Sequence, residues 1–317
     1  MADTADIIDA TAYNPEHFVL NCRGRKLDCR PFQAFGARVM GILNVTPDSF
    51  SDGGQYLERE DALRRAEQML EGGADIIDVG GESTRPAGSV YGAGAPQVEA
   101  NEERRRVLPV IEAITERFPE AIISVDTYKP AVARDALEAG AAIVNDVTGL
   151  RHGSEVAETA GAYGAPVVVM HSVGEPGGLT HAADYGDVVI EVKESLRTSV
   201  AAAEGAGVDD IIVDPGFGFG KSVEDNLRLM GAAGELLALD RPVMVGISRK
   251  SSVGTVLGSP ENPRPVDQRL FGSLGITAVA VLHGASIVRT HDVQETTDML
   301  HALGATVSSY KATEDLT

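Results

Sequence analysis

Residues 121–170, AIISVDTYKPAVARDALEAGAAIVNDVTGLRHGSEVAETAGAYGAPVVVM, contain three short apolar runs that alternate with two amphipathic segments. The runs at 121–125, 142–145 and 166–170 have the length of strands, whereas the segments at 130–139 and 154–163 show the apolar period of helices. Glycine and proline punctuate the junctions. The alternation predicts parallel strands, because a helix after each strand returns the chain to the same edge of the sheet.

The same alternation runs along most of the chain. Further strands are predicted at 39–44, 75–79, 210–213, 242–246 and 285–288, and further helices at 60–72, 98–118, 185–206, 223–239, 267–282 and 293–303. About eight strand–helix units is the count of an α/β protein of the (β/α)8 TIM-barrel class. A doubly wound open sheet is the alternative, but its glycine fingerprint is missing from NVTPDSFSDGG, residues 44–54, after the first strand.

The residues before the barrel form a separate extension. In FVLNCRGRKLDCR, residues 18–30, two short strands are predicted around a turn at Gly24. We expect residues 1–37 to be an N-terminal extension whose β-hairpin lies under the barrel floor, and residues 38–310 to be a single TIM-barrel catalytic domain. Cys22 and Cys29 are too few for a disulfide framework and are predicted to be reduced thiols.

Composition excludes several classes of protein. The chain carries 47 acidic and 27 basic residues, a net charge of −20, which argues against nucleic-acid binding. An anionic substrate would need a local cluster of cations. The sequence has neither an apolar run of membrane-helix length nor an apolar signal core at its start, so we expect a cytoplasmic protein that does not contact membranes. The acidity is compatible with a high-salt cytoplasm.

Polar residues collect where the predicted strands end, which is the active edge of a TIM barrel. In chain order they are Asn44, Asp48, Asp52, Glu82, Thr84, Arg85, Asp126, Asn145, Asp146, His171, Asp214, Ser248, Arg249, Lys250, Arg289, His291 and Asp292. Any single one of these residues could instead have a purely structural role, as a helix cap or a turn former. Eight strand ends with such residues together indicate a binding site.

The residue types suggest a ligand with two different ends. Asp126, Asn145 and Asp214 match a flat heterocycle with N–H donors and ring acceptors, such as a pteridine or purine. Arg289 and His291, with the oxygen ligands of the first loop, suit phosphate and Mg²⁺; these ligands are Asn44, Asp48 and Asp52. Phe219 and Lys221 lie beside Asp214, where an aromatic ring would form a pocket wall. His171 is either a general base or a packing residue.

Seven strings closely resemble the dihydropteroate synthase family. They are MGILNVTPDSFSDGG (40–54), DVGGESTRPAG (78–88), SVDTYKP (124–130), NDVTGL (145–150), DPGFGFGK (214–221), GISRKS (246–251) and VRTHDV (288–293). The resemblance implies a transferase of folate biosynthesis that joins 7,8-dihydropterin-6-ylmethyl diphosphate to 4-aminobenzoate, giving 7,8-dihydropteroate and pyrophosphate. It also implies Mg²⁺, a homodimer, a sulfonamide target and an SN1-like loss of pyrophosphate before the aniline nitrogen attacks.

The resemblance assigns roles by position. The pterin set is Asp126, Asn145, Asp214 and Lys250; the pyrophosphate set is Asn44, Arg289 and His291, with Asn44 also the metal ligand; the 4-aminobenzoate set is Thr84, Arg85, Pro86, Phe219 and Ser251. Asp126, Lys250 and Asp52 are the expected catalytic residues, and Asp52 would join the metal network when the first loop closes. The two glycine-rich loops after the first and second strands are expected to act as lids.

The chain departs from the family pattern after the fifth strand. The family commonly has MHMQG there, whereas this chain has MHSVGEP at 170–176, and Gly88 is displaced by one residue. Two alternatives stay open. One is a paralogue that binds a pterin without catalysis. Such a protein would be expected to lose a pterin or diphosphate residue, whereas this chain has all of them. The other is a pterin-binding methyltransferase partner of a corrinoid protein, which shares the barrel.

Overall fold

The computed structural model describes residues 13–31, 37–45, 54–82, 97–174 and 183–314, without the side chains of 54–58 and 310–314. The strands are β1 (Val19–Cys22), β2 (Arg25–Asp28), β3 (Arg38–Asn44), β4 (Ile76–Gly80), β5 (Ile122–Asp126), β6 (Ile143–Asp146), β7 (Val167–Met170), β8 (Ile211–Asp214), β9 (Met244–Val245) and β10 (Ile287–Thr290). The α-helices are α1 (Gly54–Glu71), α2 (Ala100–Arg117), α3 (Pro130–Glu138), α4 (Glu155–Ala162), α5 (Val188–Gly205), α6 (Val223–Gly231), α7 (Ser251–Leu257), α8 (Leu270–Leu282) and α9 (Val293–Glu314).

Strands β3 to β10 form one parallel sheet in the order β8-β7-β6-β5-β4-β3-β10-β9. A parallel bridge between Val213 and Val243 joins the two ends of this order, and the Val213 N–H donates to the Pro242 carbonyl at 2.9 Å. The sheet is therefore closed, and helices alternate with its strands. The predicted (β/α)8 barrel is confirmed.

The N-terminal hairpin of β1 and β2 covers the amino-terminal ends of the barrel strands. Its two-residue turn has φ +53° at Arg23 and +96° at Gly24, as a tight turn that matches the twist of paired strands requires. Side chains of the hairpin and of the strand starts share one buried apolar cluster, which includes Leu20, Leu27 and Met40. The hairpin thus closes the end of the barrel opposite the site, as predicted.

Several predicted boundaries were wrong in the second half of the chain. The helix predicted over 223–239 ends at Gly231, and residues 233–239 form a 3-10 helix instead. The helix predicted over 267–282 begins at Leu270. Helix α7 follows the β9 loop directly and was not predicted. Among the described residues, no helix combines the length and apolarity that crossing a bilayer requires.

Candidate active site

The ends of β3 to β6 carry a row of polar groups in register. Asn44 pairs with Gly80, Gly80 with Asp126, and Asp126 with Asn145. A Cβ built on Gly80 would lie 3.7 Å from Asp126 Oδ2 and 3.8 Å from Asn44 Oδ1. Because Gly80 has no side chain, the space between these two polar groups over β4 stays open.

A charged network joins Asp126 and Asn145 of this row to Asp78, which lies deeper in the barrel. Arg289 donates through Nε to Asp78 Oδ2 and through Nη2 to Asp126 Oδ2, both at 2.7 Å. Asn145 Nδ2 donates to the same Asp78 oxygen at 3.1 Å. The sequence prediction placed Arg289 after its strand, but Arg289 is the third residue of β10, so its side chain reaches across the barrel interior.

Asp78 was missed by the sequence reasoning, which considered only residues at strand ends. The residue is fully buried in β4, two positions before Gly80. A carboxylate within the apolar run IIDVG was the available signal, because a buried charge is costly unless a partner neutralises it.

Burial raises the pKa of the Asp126 carboxyl to about 7. The Arg289 guanidinium lowers this pKa and the Asp78 carboxylate raises it, but desolvation has the largest effect. For Arg289 itself, burial lowers the pKa, but the carboxylates of Asp78 and Asp126 more than offset this effect. The pKa is raised overall, so the side chain stays charged. A strongly shifted carboxyl beside a fixed cation is a typical arrangement of active sites.

The end of β8 adds a third carboxylate, Asp214, and the loops after β8 and β9 each add a lysine, Lys221 and Lys250. Asp214 ends β8 and accepts a hydrogen bond from the Gly216 N–H at 2.6 Å, and burial raises its pKa, which Lys250 opposes. Lys221 is 3% exposed and donates to the carbonyls of His171, Gly216 and Phe219. Lys221 therefore ties the loop after β8 to the end of β7.

Lys250 forms the cationic side of the pocket next to an aromatic ring. Its Nζ lies 4.2 Å from the centre of the Phe219 ring and donates to the Phe217 carbonyl. Burial lowers the pKa of Lys250 to about 7, and the Asp214 carboxylate opposes this shift. The structure therefore places the Lys250 cation over the face of the Phe219 ring.

Helix α8 and the residue before it fix the backbone that precedes Lys250. Arg249 has φ +60°, an unfavourable conformation for a residue with a side chain. Its N–H donates to Ser273 Oγ at 3.1 Å, and its carbonyl accepts from Arg269 Nη1 at 2.9 Å. Arg269 is only 2% exposed. The surrounding contacts thus impose the strained turn that directs Lys250.

His291 follows β10 and contacts the loop after β9. Its ring Nδ1 lies 3.1 Å from Ser248 Oγ, and its backbone N–H donates to the same oxygen at 3.2 Å. Asp292 pairs with Arg249 on this side of the barrel mouth. Ser251 begins α7 directly after Lys250 and is half-buried.

His171 is buried behind the site. Burial lowers the pKa of this imidazole to about 3, with smaller contributions from Lys221 and Arg151, so the ring is neutral. Among the described residues its buried Nδ1 has no hydrogen-bond partner. Four predicted site residues lie outside the described ranges: Asp52, Thr84, Arg85 and Pro86. Asp48 does as well.

Comparison with known proteins agrees with this geometry. The sequence profile of the pterin binding enzymes matches residues 40–291. The dihydropteroate synthase of Escherichia coli strain K12 is 45% identical over 273 residues, which cover 86% of this chain and 92% of that protein. This chain belongs to the dihydropteroate synthase family.

Solved structures of dihydropteroate synthases are similar over most of the chain. The Xanthomonas albilineans enzyme in complex with 7,8-dihydropteroate has a TM-score of 0.76 and 40% identity, covering 91% of this chain and 98% of that one. The Thermus thermophilus enzyme in complex with 4-aminobenzoate also has a TM-score of 0.76 and 40% identity, covering 90% and 99%.

The family resemblance implies that Mg²⁺ binds at the barrel mouth. The described residues contain no group of three or more His, Cys, Asp or Glu side chains placed to hold a metal ion. Asn44 offers one half-buried amide oxygen at the mouth. Mg²⁺ commonly keeps several waters and binds through few protein groups plus substrate phosphates. A single oxygen donor fits a magnesium ion carried by a diphosphate.

Proposed function

We propose that the protein condenses 7,8-dihydropterin-6-ylmethyl diphosphate with 4-aminobenzoate, giving 7,8-dihydropteroate and pyrophosphate. The observation that carries this proposal is one buried cluster at the barrel mouth. In it the cations Arg289 and Lys250 lie among three polar side chains, those of Asp126, Asn145 and Asp214. Such a cluster suits a ligand with a polar heterocycle at one end and an anionic group at the other. Relatives solved with 7,8-dihydropteroate and with 4-aminobenzoate support it.

In the proposed reaction the bond between the pterin methylene and the diphosphate breaks first, and the cation is delocalised into the pterin ring. Asp126, Asn145, Asp214 and Lys250 hold the ring, and the carboxylates stabilise its positive charge. Arg289 and His291 bind the leaving pyrophosphate, together with Asn44. Bound Mg²⁺ supplies further neutralisation of the leaving group.

The aniline nitrogen of 4-aminobenzoate then attacks the methylene carbon, and its proton passes to the released pyrophosphate. Phe219 and Ser251 would contact this second substrate, with Thr84, Arg85 and Pro86 from the loop after β4. Asp52 would complete the metal network when the loop after β3 closes. Exclusion of water matters here, because water would trap the cation as an alcohol.

The test is release of pyrophosphate by the purified protein with the pterin diphosphate and Mg²⁺, with and without 4-aminobenzoate, at low and high salt. Pyrophosphate release coupled to dihydropteroate formation supports the proposal. Pterin binding without turnover at either salt concentration would instead favour the binding paralogue.

The variant Asp126→Asn removes the charge of the central carboxylate with little change of shape. We expect it to lower kcat about a hundredfold and to raise the KM of the pterin substrate less, because the charge acts mainly on the developing cation. Steady-state kinetics at saturating 4-aminobenzoate measure both constants. An unchanged kcat would contradict this role.

We also propose a homodimer that forms through α8. The helix sequence, LFGSLGITAVAVL, has no charged residue, and Phe271 and Val279 on it are 82% and 43% exposed. Exposed apolar side chains on a helix without charged residues are typical of an interface. Analytical ultracentrifugation should show a dimer that dissociates in Phe271→Asp, whereas Ile190→Asp, an equally drastic change on exposed α5, should have no effect. Phe271→Asp that sediments like the wild type would contradict the proposal.

A cytoplasmic location is part of the same proposal. It is supported by Cys22 and Cys29, which are both buried and unpaired, as is usual in a reducing compartment. Fractionation of the source cells tests it.

A further inference from the structure

Asp78 is a buried carboxylate that does not line the open site. Its side chain is 0% exposed, so a ligand in the barrel mouth does not reach it. Oδ2 accepts hydrogen bonds from Arg289 and Asn145, whereas the buried Oδ1 has no partner among the described residues. Keeping such a charge buried is costly, which indicates that its contact with Arg289 has a use beyond packing.

Arg289 spans two layers of the site through two different nitrogens. The Nε atom is held by fully buried Asp78, and the Nη2 atom is held by Asp126, whose side chain is 7% exposed. The guanidinium side chain is itself 19% exposed. One end of the guanidinium is therefore anchored in the interior, while the other end reaches the layer where substrate binds.

The contact with Asp126 places Arg289 Nη2 at a carboxylate that the proposed ligand would use. A carboxylate oxygen can accept two hydrogen bonds, as Asp78 Oδ2 does, and Nη2 already takes one of the two acceptor positions of Asp126 Oδ2. A ring N–H that approaches Oδ2 from the side of Arg289 would displace Nη2. If Nε stays on Asp78, the guanidinium turns about this anchor and its freed end remains at the mouth, where it can meet a diphosphate.

We propose that Asp78 is a positioning residue that anchors Arg289 as a pivot, so that the pterin and the diphosphate bind cooperatively. The pterin takes Asp126 from Arg289 and frees Nη2 for the diphosphate; the diphosphate draws Nη2 away and frees Asp126 for the pterin. This inference rests on the proposed function, because it assigns Asp126 to the pterin and Arg289 to the diphosphate. It adds the coupling between the two subsites and the residue responsible for it.

The first measurement is calorimetric binding to the wild-type protein with Mg²⁺, using a 6-substituted pterin without diphosphate and inorganic pyrophosphate. We expect each ligand at saturation to tighten the other about fivefold or more, and by the same factor in both directions, as linkage requires. Independent binding of the two ligands would overturn the proposal without any variant. Failure to bind either ligand would overturn the proposed function as well, whereas normal turnover without coupling would refute the pivot alone.

The second measurement uses Asp78→Asn, because two explanations predict opposite signs for it. If Asp78 acts only by its charge, removing a negative group near an anion site should tighten pyrophosphate binding. If Asp78 is the anchor, pyrophosphate binding should weaken about fivefold or more and the coupling with the pterin should disappear. Tighter binding, or coupling that persists in Asp78→Asn, would overturn the proposal.

Ser124→Ala is the matched control. Ser124 lies beside Asp78 in the β4–β5 register, is equally buried, and its Oγ has no hydrogen-bond partner among the described residues. It should preserve both affinities and the coupling. If Ser124→Ala also abolished coupling, the effect would come from general disturbance of this layer and the proposal would fail. If Asp78→Asn does not fold, the wild-type coupling measurement decides.

Discussion

Single residues at the barrel mouth carry charges whose state depends on pH near neutrality. Burial raises the pKa of Asp126 to about 7 and lowers the pKa of Lys250 to about 7. The ionised carboxylate would stabilise the pterin cation, and the ammonium would bind the ring. The pKa of the carboxyl is raised and the pKa of the ammonium is lowered, and desolvation is the main cause of both shifts.

We therefore expect the kcat/KM of the pterin substrate to be bell-shaped with a maximum near pH 7. Below this pH, protonation of Asp126 removes its charge; above it, deprotonation of Lys250 removes the cation. In Lys250→Arg the alkaline limb should vanish, because a guanidinium stays protonated, while the acid limb should remain. Initial rates at low substrate concentration from pH 5 to 9 measure both limbs. An unchanged alkaline limb in Lys250→Arg would assign it to another group, such as Lys221.

Among the elements, the loop between β8 and α6 is held by hydrogen bonds from side chains to its backbone. Asn226 on α6 accepts from the Gly218 N–H at 2.7 Å and donates to the Ser222 carbonyl at 2.7 Å. Lys221 donates to three carbonyls of the same region. Because these bonds satisfy buried backbone groups, they keep Phe219 in place next to Lys250.

Gly216 is the position in this loop with least tolerance for a side chain. It has φ +68°, and a Cβ there would lie 1.9 Å from the His171 carbonyl oxygen. We expect Gly216→Ala to lower the free energy of unfolding by at least about 2 kcal/mol and to reduce kcat/KM, because the loop must shift. Chemical denaturation and steady-state kinetics measure the two effects.

Gly205→Ala is the control for this substitution. Gly205 ends α5, and a Cβ there meets nothing within 4 Å. The same change should raise stability by about 0.5–1 kcal/mol and leave kinetics unchanged. Equal effects of the two substitutions would show that the close approach at Gly216 is unimportant.

The whole molecule is strongly acidic, with a net charge of −20 from 47 acidic and 27 basic residues. Mutual repulsion of this charge destabilises the compact state and opposes the approach of an anionic substrate at long range. The cations of the mouth are few and buried, so their effect is local. Salt should weaken both long-range effects and change the local attraction by the buried cations less, because exposed charges are screened more strongly than buried ones.

We expect Tm to rise by about 2 °C or more between 0.1 and 1 M KCl, because the Debye length shortens from about 10 Å to about 3 Å. Differential scanning calorimetry measures the shift. Sucrose of equal osmolality provides the control for general exclusion from the protein surface. A Tm that does not respond to KCl, or responds equally to sucrose, would contradict self-repulsion as the cause.

The sequence predicted the barrel because a parallel strand–helix repeat is a local pattern. Each strand is a short apolar run, and each helix has its own period and glycine stop. It also predicted most polar groups of the mouth, because these follow directly after strands. Local patterns were less reliable at 223–239, where a 3-10 segment interrupts the predicted helix, and at α7, which has too few residues to show a period.

Only the tertiary structure decided which charged side chains pair with each other at the barrel mouth. Arg289 and Asp78 are 211 positions apart; the carboxylate within IIDVG signals a buried charge, but nothing in the sequence around either residue identifies its partner or the shared contact with Asp126. The same holds for the strained Arg249, held by Ser273 and Arg269, and for buried Lys221. Sequence patterns indicate which residues face the core, because buried apolar residues recur at regular intervals along each helix and strand. The pairing of buried charges depends on which strands become neighbours when the barrel closes, and on the desolvation that closure imposes.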